Sequence, residues 1–508
     1  MCRDNQAFSL VENEGFQFFM HKALPLYSLP CRKTFTNLLD GRYEVQVPKF
    51  KAQLSQYEYF TMTTDVWTEQ HTNKSYLGVT IHYLDNIDMQ STQLGVFPLE
   101  ERHTAQYLEQ ILNQICTEWN LPKQKVIAGI TDNAANIVKA VTNYFGELNH
   151  LPCFAHTLNL VRERSLEMSE AVAVVILKLR NIVTWFKHSI VGTDVLRKLQ
   201  LKDGISGGKL LKLKQDVRTR WNSTFCMLER YLILCNYVNE ILLNDPKSPT
   251  VLNANELQIL RELKVLLRPL EVCTREVSAE KYVTLSKIIP LMNCMVKEIL
   301  NTKLSNVDVE QFKQNLCSEL NKRFGNIEKN EKLAVSAILD PKFKKLDFKD
   351  ILDVGKAVTS VRKKALIFAS ANLKDVISNE EENSHEIQEL PMHQDDFDLW
   401  KHHGALANVS RVKVSDKEEL NSLIGQELTH YLSTSVAELH SSLFKVWGQL
   451  KLTYPHLHRV ANKYLQITAT SVPSQRLFSK TIINDRRSRI KPERLKKMVF
   501  LGSLPIEE

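Results

Sequence analysis

Residues 126–132 read VIAGITD, and this short stretch decides the fold. Its first five residues are continuously apolar, which is typical of a central β-strand covered on both faces. Asp132 follows at the carboxyl end of the stretch. A helical pattern comes next, with apolar side chains at Ile137, Val138 and Val141. The stretch therefore predicts a buried strand, an acidic residue at its end and then a helix.

The residues before this strand predict three more strands and a helix. A β-branched run at 61–64 leads into Asp65, residues 76–83 alternate between apolar and polar, and residues 90–97 give a third strand. Thr104 can then cap a helix. Three strands, a helix, a buried strand and a helix is the order of an RNase H-like core. The same pattern also fits many other α/β domains.

The rest of the chain divides into further predicted segments. Residues 1–56 are predicted to form short helices and turns, and 57–165 the first part of the core. A mostly helical insertion follows over 166–430, and 431–508 would complete the core. Within the insertion, residues 377–398 are acidic and polar, which predicts a disordered connector.

Composition limits the class of protein. The chain has 508 residues, more than one core normally organises, and a net charge of +8. This charge suits a nucleic-acid partner, or a slightly basic solvated surface. Nine cysteines without a CxxC pair indicate a reducing compartment. No secretory signal or long apolar run is apparent, so we expect a cytosolic or nuclear protein without a membrane partner.

Seven short sequence motifs resemble, in the same order, those of the hAT-superfamily DNA transposases. They are TTDVWT (63–68), TDNAANI (131–137), CFAHTLNLV (153–161), RTRWNST (218–224), SAILDPKF (336–343), SVPSQRLFS (471–479) and SRIKPERLKKMVFL (488–501). The likeness covers nearly the whole chain and extends to domesticated relatives with a BED-type zinc finger. It implies an α/β core with an RNase H-like mixed sheet, interrupted by a large all-helical insertion and followed by C-terminal hAT dimerisation helices.

The resemblance implies a metal centre at Asp65 and Asp132. RNase H-like nucleases hold two divalent metals between carboxylates, and Mg²⁺ and Mn²⁺ prefer such oxygen ligands. Taken singly, an aspartate at a strand end is more often a turn or cap residue. His156 could orient an active-site group or be a structural histidine. We interpret Cys153 as a packed thiol, because a zinc site needs four ligands and no second pair lies nearby.

The third carboxylate is where this chain departs from the family. The family word reads Ser-Glu-Arg, whereas this chain has Ser474, Gln475 and Arg476. Gln lacks the negative charge, so metal occupancy and water activation should both fall. Glu493 lies in a word where the family also carries Glu, and we interpret it as a helix N-terminal residue rather than a substitute. We therefore expect an inactive transposase homologue that uses Mg²⁺ or Mn²⁺ only if activity remains.

The resemblance also implies DNA contacts. In the family, the tryptophan matching Trp221, next to Arg220, stacks on DNA; a tryptophan that anchors a helix is the alternative. A basic run that includes Arg486, Arg487 and Arg489 could contact phosphates, or could be a solvated helix face.

The C-terminal apolar residues are implied to mediate dimerisation. They are Trp447, Tyr464, Leu465, Leu477 and Phe478. The same side chains could equally belong to the core, and both roles can coexist.

The zinc finger of BED-type relatives needs two Cys and two His, whereas residues 1–40 offer only Cys2, Cys31 and His21. We therefore expect no structural zinc.

Together these observations predict a nuclear, dimerising, DNA-associated protein without a small-molecule substrate. An active cut-and-paste transposase and a protein-interaction scaffold without DNA binding are the two alternatives.

Overall fold

The structure is a computed structural model, and it describes residues 2, 6–69, 73–217, 222–279, 284–382, 417–471, 474 and 490–505. At its centre is a five-stranded mixed sheet with the strand order β3-β2-β1-β4-β5. The strands are β1 (Phe60–Thr68), β2 (Ser75–Asp85), β3 (Asp88–Leu99), β4 (Val126–Thr131) and β5 (His150–Pro152). β1, β2 and β3 are antiparallel, whereas β4 and β5 run parallel to β1. This confirms the four predicted strands and adds the short β5, which we did not foresee.

The two faces of the sheet differ in chemistry because side chains alternate along each strand. On one face, Met62 and its cross-strand partner Ile81 pack with helices α3 (Ala105–Glu118) and α4 (Ala135–Phe145) in an apolar core. The other face carries Thr61, Thr63 and Asp65 along β1, opposite His82, Thr80 and Gly78 of β2. This polar face bears the candidate site.

The N-terminal segment contains α1 (Glu14–Ala23) and α2 (Arg32–Gln56). The prediction of short helices is wrong for the second, which runs for 25 residues and accommodates Pro48 in its interior. The reason lies in tertiary packing, because Phe50 of α2 contacts Trp119 and Phe500 at ring distances of 6.0 and 5.6 Å. Burial of this aromatic cluster outweighs the local cost of a proline.

The helical insertion follows the sheet, as predicted. Among the described residues its helices are α5 (Phe154–Glu167), α6 (Glu170–His188), α7 (Ile190–Lys202), α8 (Ser223–Leu243), α9 (Ala254–Ala279), α10 (Ile288–Asn301), α11 (Val307–Phe324), α12 (Glu331–Leu339), α13 (Ile351–Glu382) and α14 (Lys417–Ser433). The predicted disordered connector begins too early, because residues 377–382 continue α13. Its remainder, 383–398, lies outside the described residues.

In the described part of the C-terminal region there are three helices: α15 (Leu443–Leu450), α16 (Pro455–Leu465) and α17 (Pro492–Ser503). α16 packs on α12, α13 and α14 of the insertion, whereas α17 packs on β3 and α2. The region therefore joins the insertion to the sheet. Within the described part of the chain, no helix is both long and apolar enough to cross a membrane.

Candidate functional site

The two aspartates lie side by side on neighbouring parallel strands, Asp65 within β1 and Asp132 directly after β4. Thr63 of β1 pairs with Ile130 of β4, so two further residues along each strand bring Asp65 level with Asp132. Asp132 directly follows β4, and its Oδ1 accepts a hydrogen bond of 3.2 Å from the backbone N–H of Ala134. The strand pairing thus places both carboxylates at one edge of the sheet.

The electrostatics of this pair favour a bound cation. Exclusion of water and, as the second cause, the negative charge of Asp132 together raise the pKa of Asp65 from 3.8 to about 8. A divalent cation held by both carboxylates would offset their repulsion, and its preference for oxygen ligands fits this donor set. Among the described residues, no third acidic, histidine or cysteine side chain completes a three-ligand cluster.

The Cys-x-x-His motif, Cys153 to His156, lies at the N-terminus of α5. Cys153 is fully buried, and its Sγ accepts a hydrogen bond of 3.3 Å from the backbone N–H of Ser471. Burial raises the pKa of this thiol, which agrees with the interpretation of a packed cysteine. Burial lowers the pKa of His156, while Asp132 acts in the opposite direction. His156 therefore lies within electrostatic reach of the aspartate pair, in mainly neutral form at pH 7.

Ser474 anchors the C-terminal segment to the polar face of the sheet. Its Oγ lies 2.9 Å from the carbonyl oxygen of Thr63, 2.8 Å from Thr63 Oγ1 and 3.1 Å from Thr80 Oγ1. Thr63 Oγ1 is also 3.0 Å from Nε2 of His82. Thr63 stands two residues before Asp65 on the same face of β1. Ser474, which precedes Gln475 in the sequence, is therefore held on the strand that carries Asp65. Gln475 itself lies outside the described residues.

Sequence reasoning missed this network. The sequence carries one signal of it, because Thr61, Thr63, Thr80 and His82 give two predicted strands a polar face. The structure shows that all four side chains on this face are buried. Buried polar groups require hydrogen-bond partners, so such a row predicts a polar segment docked upon it.

The variant Ser474→Ala is expected to lower the free energy of unfolding by about 1–3 kcal/mol, because it removes a buried hydrogen-bond partner. Urea unfolding followed by circular dichroism measures this loss. The exposed hydroxyl of Ser441 donates to the carbonyl oxygen of Glu438, and Ser441→Ala serves as the matched control. Equal stabilities of the two variants would contradict the anchoring role.

Arg220 and Trp221 lie outside the described residues. The residues on both sides of them, Val217 and Ser223, are hydrogen-bonded to each other. Ser223 Oγ lies 3.0 Å from the backbone nitrogen and 2.7 Å from the carbonyl oxygen of Val217. Arg162 of α5 donates to Thr224 Oγ1 at 2.6 Å. α5 therefore contacts the start of α8 through Arg162 and also carries His156, whose pKa is influenced by Asp132.

The structure buries three of the predicted dimerisation residues within a single chain. Trp447 is 0% exposed and donates through Nε1 to the carbonyl oxygen of Leu339 at 2.9 Å. Tyr464 and Leu465 are also buried. These positions favour the core interpretation, and a direct contact with a second chain stays a prediction.

The remaining predicted residues are only partly covered by the structure. Leu477, Phe478, Arg486, Arg487 and Arg489 lie outside the described residues. Glu493 stands in the first turn of α17, where an acidic side chain suits the positive end of the helix dipole. This position agrees with the interpretation of a helix N-terminal residue.

The fold and site define an RNase H-like protein with a helical insertion, and comparison with known sequences gives the family. Residues 63–154 match the ZBED1 RNase-like domain, 151–264 the ZBED1 RNase-like helical domain and 427–503 the hAT family C-terminal dimerisation region. The chain therefore belongs to the group formed by the hAT transposases and the zinc finger BED proteins.

Individual relatives agree with this assignment. The chain is 26% identical over 522 residues to a putative AC transposase of Zea mays, covering 96% of this chain and 62% of that protein. It is 23% identical over 522 residues to zinc finger BED domain-containing protein 4 of Homo sapiens, covering 99% and 42%. A stretch of 181 residues is 26% identical to the Hobo transposase of Drosophila melanogaster, covering 35% and 25%. The chain thus spans less than two thirds of the length of these relatives.

Proposed function

We propose that this chain is a DNA-associated, self-associating nuclear protein of the hAT group that no longer cuts DNA. One observation carries the proposal: the position that supplies the third carboxylate in the family is Gln475. Its neighbour Ser474 is bonded to the strand that bears Asp65, and this contact supports the assignment of the third-ligand position to the same site as the two aspartates.

Loss of one negative charge weakens the binding of a metal ion at this site. Asp65 and Asp132 would hold Mg²⁺ or Mn²⁺, which in an active nuclease activates the attacking water and stabilises the leaving oxygen. Binding of these ions depends on the number of charged ligands, and a neutral amide contributes less. A site with two carboxylates and an amide therefore attracts a divalent cation less strongly than a site with three carboxylates.

Strand cleavage tests this proposal. We expect the wild-type protein to leave a supercoiled plasmid intact in Mn²⁺, and Gln475→Glu to convert it to the nicked form. The double variant Gln475→Glu/Asp65→Ala should again be inert, because both carboxylates are required. Nicking by the wild type that Asp65→Ala abolishes would instead identify an active transposase. If the Glu variant stays inert, the loss of activity cannot be assigned to position 475.

Self-association and nuclear location belong to the same proposal. The match of residues 427–503 to a dimerisation region supports the first, and the kinship with transposases, which act on DNA, supports the second. Analytical ultracentrifugation over a range of protein concentrations tests self-association, and a purely monomeric protein would contradict it.

A further inference from the structure

A basic stretch of the insertion lies directly before the Arg-Trp word. Residues 197–217 contain six lysines and arginines but only two aspartates, although the whole chain has a net charge of only +8. The six basic side chains are all exposed: Arg197, Lys198, Lys202, Lys209, Lys212 and Lys214. Positive charge is therefore concentrated on this part of the surface.

The last part of the stretch presents its lysines on one side. Leu211 and Leu213 are partly buried and pack against the main apolar core, whereas Lys212 and Lys214 between and after them are exposed. Alternation of this kind indicates an extended backbone, in which side chains two residues apart are about 6.6–6.8 Å apart. Lys212 and Lys214 therefore lie on the same, exposed side of this segment.

Several side chains hold this segment in place. Gln200 of α7 is 1% exposed, and its amide bonds both the N–H and the carbonyl oxygen of Leu211 at 2.9 Å. Arg230 of α8 donates to the carbonyl oxygen of Lys212 at 3.0 Å. Arg180 of α6 pairs with Asp216 at 2.7 Å. The lysines are thus carried by a backbone that is fixed at several points along its length.

The positive charge of this stretch is exposed to solvent. Within the described ranges, the ammonium groups of Lys209, Lys212 and Lys214 make no hydrogen bond or ion pair. The two acids of the stretch are engaged elsewhere, since Asp203 accepts from Tyr237 at 2.7 Å and Asp216 pairs with Arg180. A fixed row of unpaired lysines is typical of surfaces that bind the phosphate backbone, whereas a merely solvated surface does not require such anchoring.

We propose that Lys209, Lys212 and Lys214 form a basic ridge that binds the phosphate backbone of duplex DNA, independently of sequence. In the sequence, the ridge stands a few residues before Arg220 and Trp221. The inference rests on the proposed association with DNA and adds the surface through which it occurs.

Salt-dependent binding of a fluorescent duplex tests the ridge. The test variant is Lys209→Gln/Lys212→Gln/Lys214→Gln. The control is Lys297→Gln/Lys303→Gln/Lys345→Gln, which removes the same charge from three exposed lysines elsewhere. Anisotropy titrations between about 50 and 200 mM salt give the slope of log K against log salt. Each lost phosphate contact should reduce this slope by about 0.9, so we expect the test variant to lose about 2–3 and the control to lose much less.

The outcomes separate the two proposals. If the wild type binds duplex with a steep salt dependence and both variants behave alike, the ridge is rejected while DNA association stands. If the wild type shows no salt-dependent binding, both proposals fail. Circular dichroism and thermal unfolding check that the variants are folded, which we expect because exposed substitutions usually change stability by about 0.5 kcal/mol or less.

Discussion

The variant Asp65→Asn is expected to be more stable than the wild type in metal-free buffer at high pH, by about 2–4 kcal/mol. Exclusion of water, with the charge of Asp132 as the second cause, raises the pKa of Asp65 from 3.8 to about 8. Each pKa unit corresponds to about 1.4 kcal/mol, so the upper limit is roughly 6 kcal/mol. Asp65 keeps partial contact with solvent, which reduces this value.

The sign and the pH window follow from the direction of the shift. Because the folded protein binds the proton of Asp65 more tightly than the unfolded chain, this residue contributes most to stability below pH 3.8. That contribution is lost as the pH rises through about 8. The advantage of the Asn variant should therefore be small near pH 4 and grow to a plateau above pH 8.

Urea unfolding in the presence of a chelator, repeated across this range of pH, measures the difference. The exposed residue Asp194 provides the control, since Asp194→Asn should leave the free energy of unfolding unchanged. Addition of Mn²⁺ should stabilise the wild type and not Asp65→Asn, because the cation binds the charged form. A difference between wild type and variant that does not vary with pH would contradict the electrostatic explanation.

The variant Trp447→Ala is expected to lower the free energy of unfolding by about 3–5 kcal/mol. Trp447 is completely buried, its ring lies 5.4 Å from that of Tyr431, and its Nε1 bonds the carbonyl oxygen of Leu339. Truncation leaves a cavity and an unpaired carbonyl group, and both effects destabilise the fold. Trp447→Phe keeps most of the apolar volume and should cost clearly less.

Two measurements separate a core role from a direct role in self-association. Chemical unfolding at several protein concentrations gives the stability, and ultracentrifugation gives the oligomeric state. If Trp447→Ala keeps the wild-type stability but no longer self-associates, the residue contacts a second chain and the core explanation is wrong.

The local features of this protein could be predicted from its sequence. The alternation at 76–83 and the apolar run at 126–130 are properties of single strands, and the structure has both as strands. The joint site of Asp65 and Asp132 was implied by the resemblance to the hAT family and not by the strand pattern. By contrast, β5 has three residues, too few to show a period.

Features that depend on distant residues escaped prediction. Nothing near Pro48 indicates that Phe50 meets Trp119 and Phe500, which allows α2 to continue past the proline. Likewise, the role of Ser474 depends on Thr63, a residue 411 positions earlier. Sequence periodicity reports only neighbours along the chain, so such contacts become visible only in three dimensions.

The long separation of these partners also has a consequence for synthesis. Ser474 docks on Thr63, and Ser503 of α17 accepts from the backbone N–H of Gln93, a residue 410 positions earlier. A ribosome that adds about 5–20 residues per second needs roughly 20–80 s to make the intervening chain. During that time, strands β1 to β3 lack the C-terminal segment that packs on them. Their apolar and unpaired polar groups stay exposed and can form non-native contacts. The nascent protein should therefore be a substrate for chaperones until translation is nearly complete.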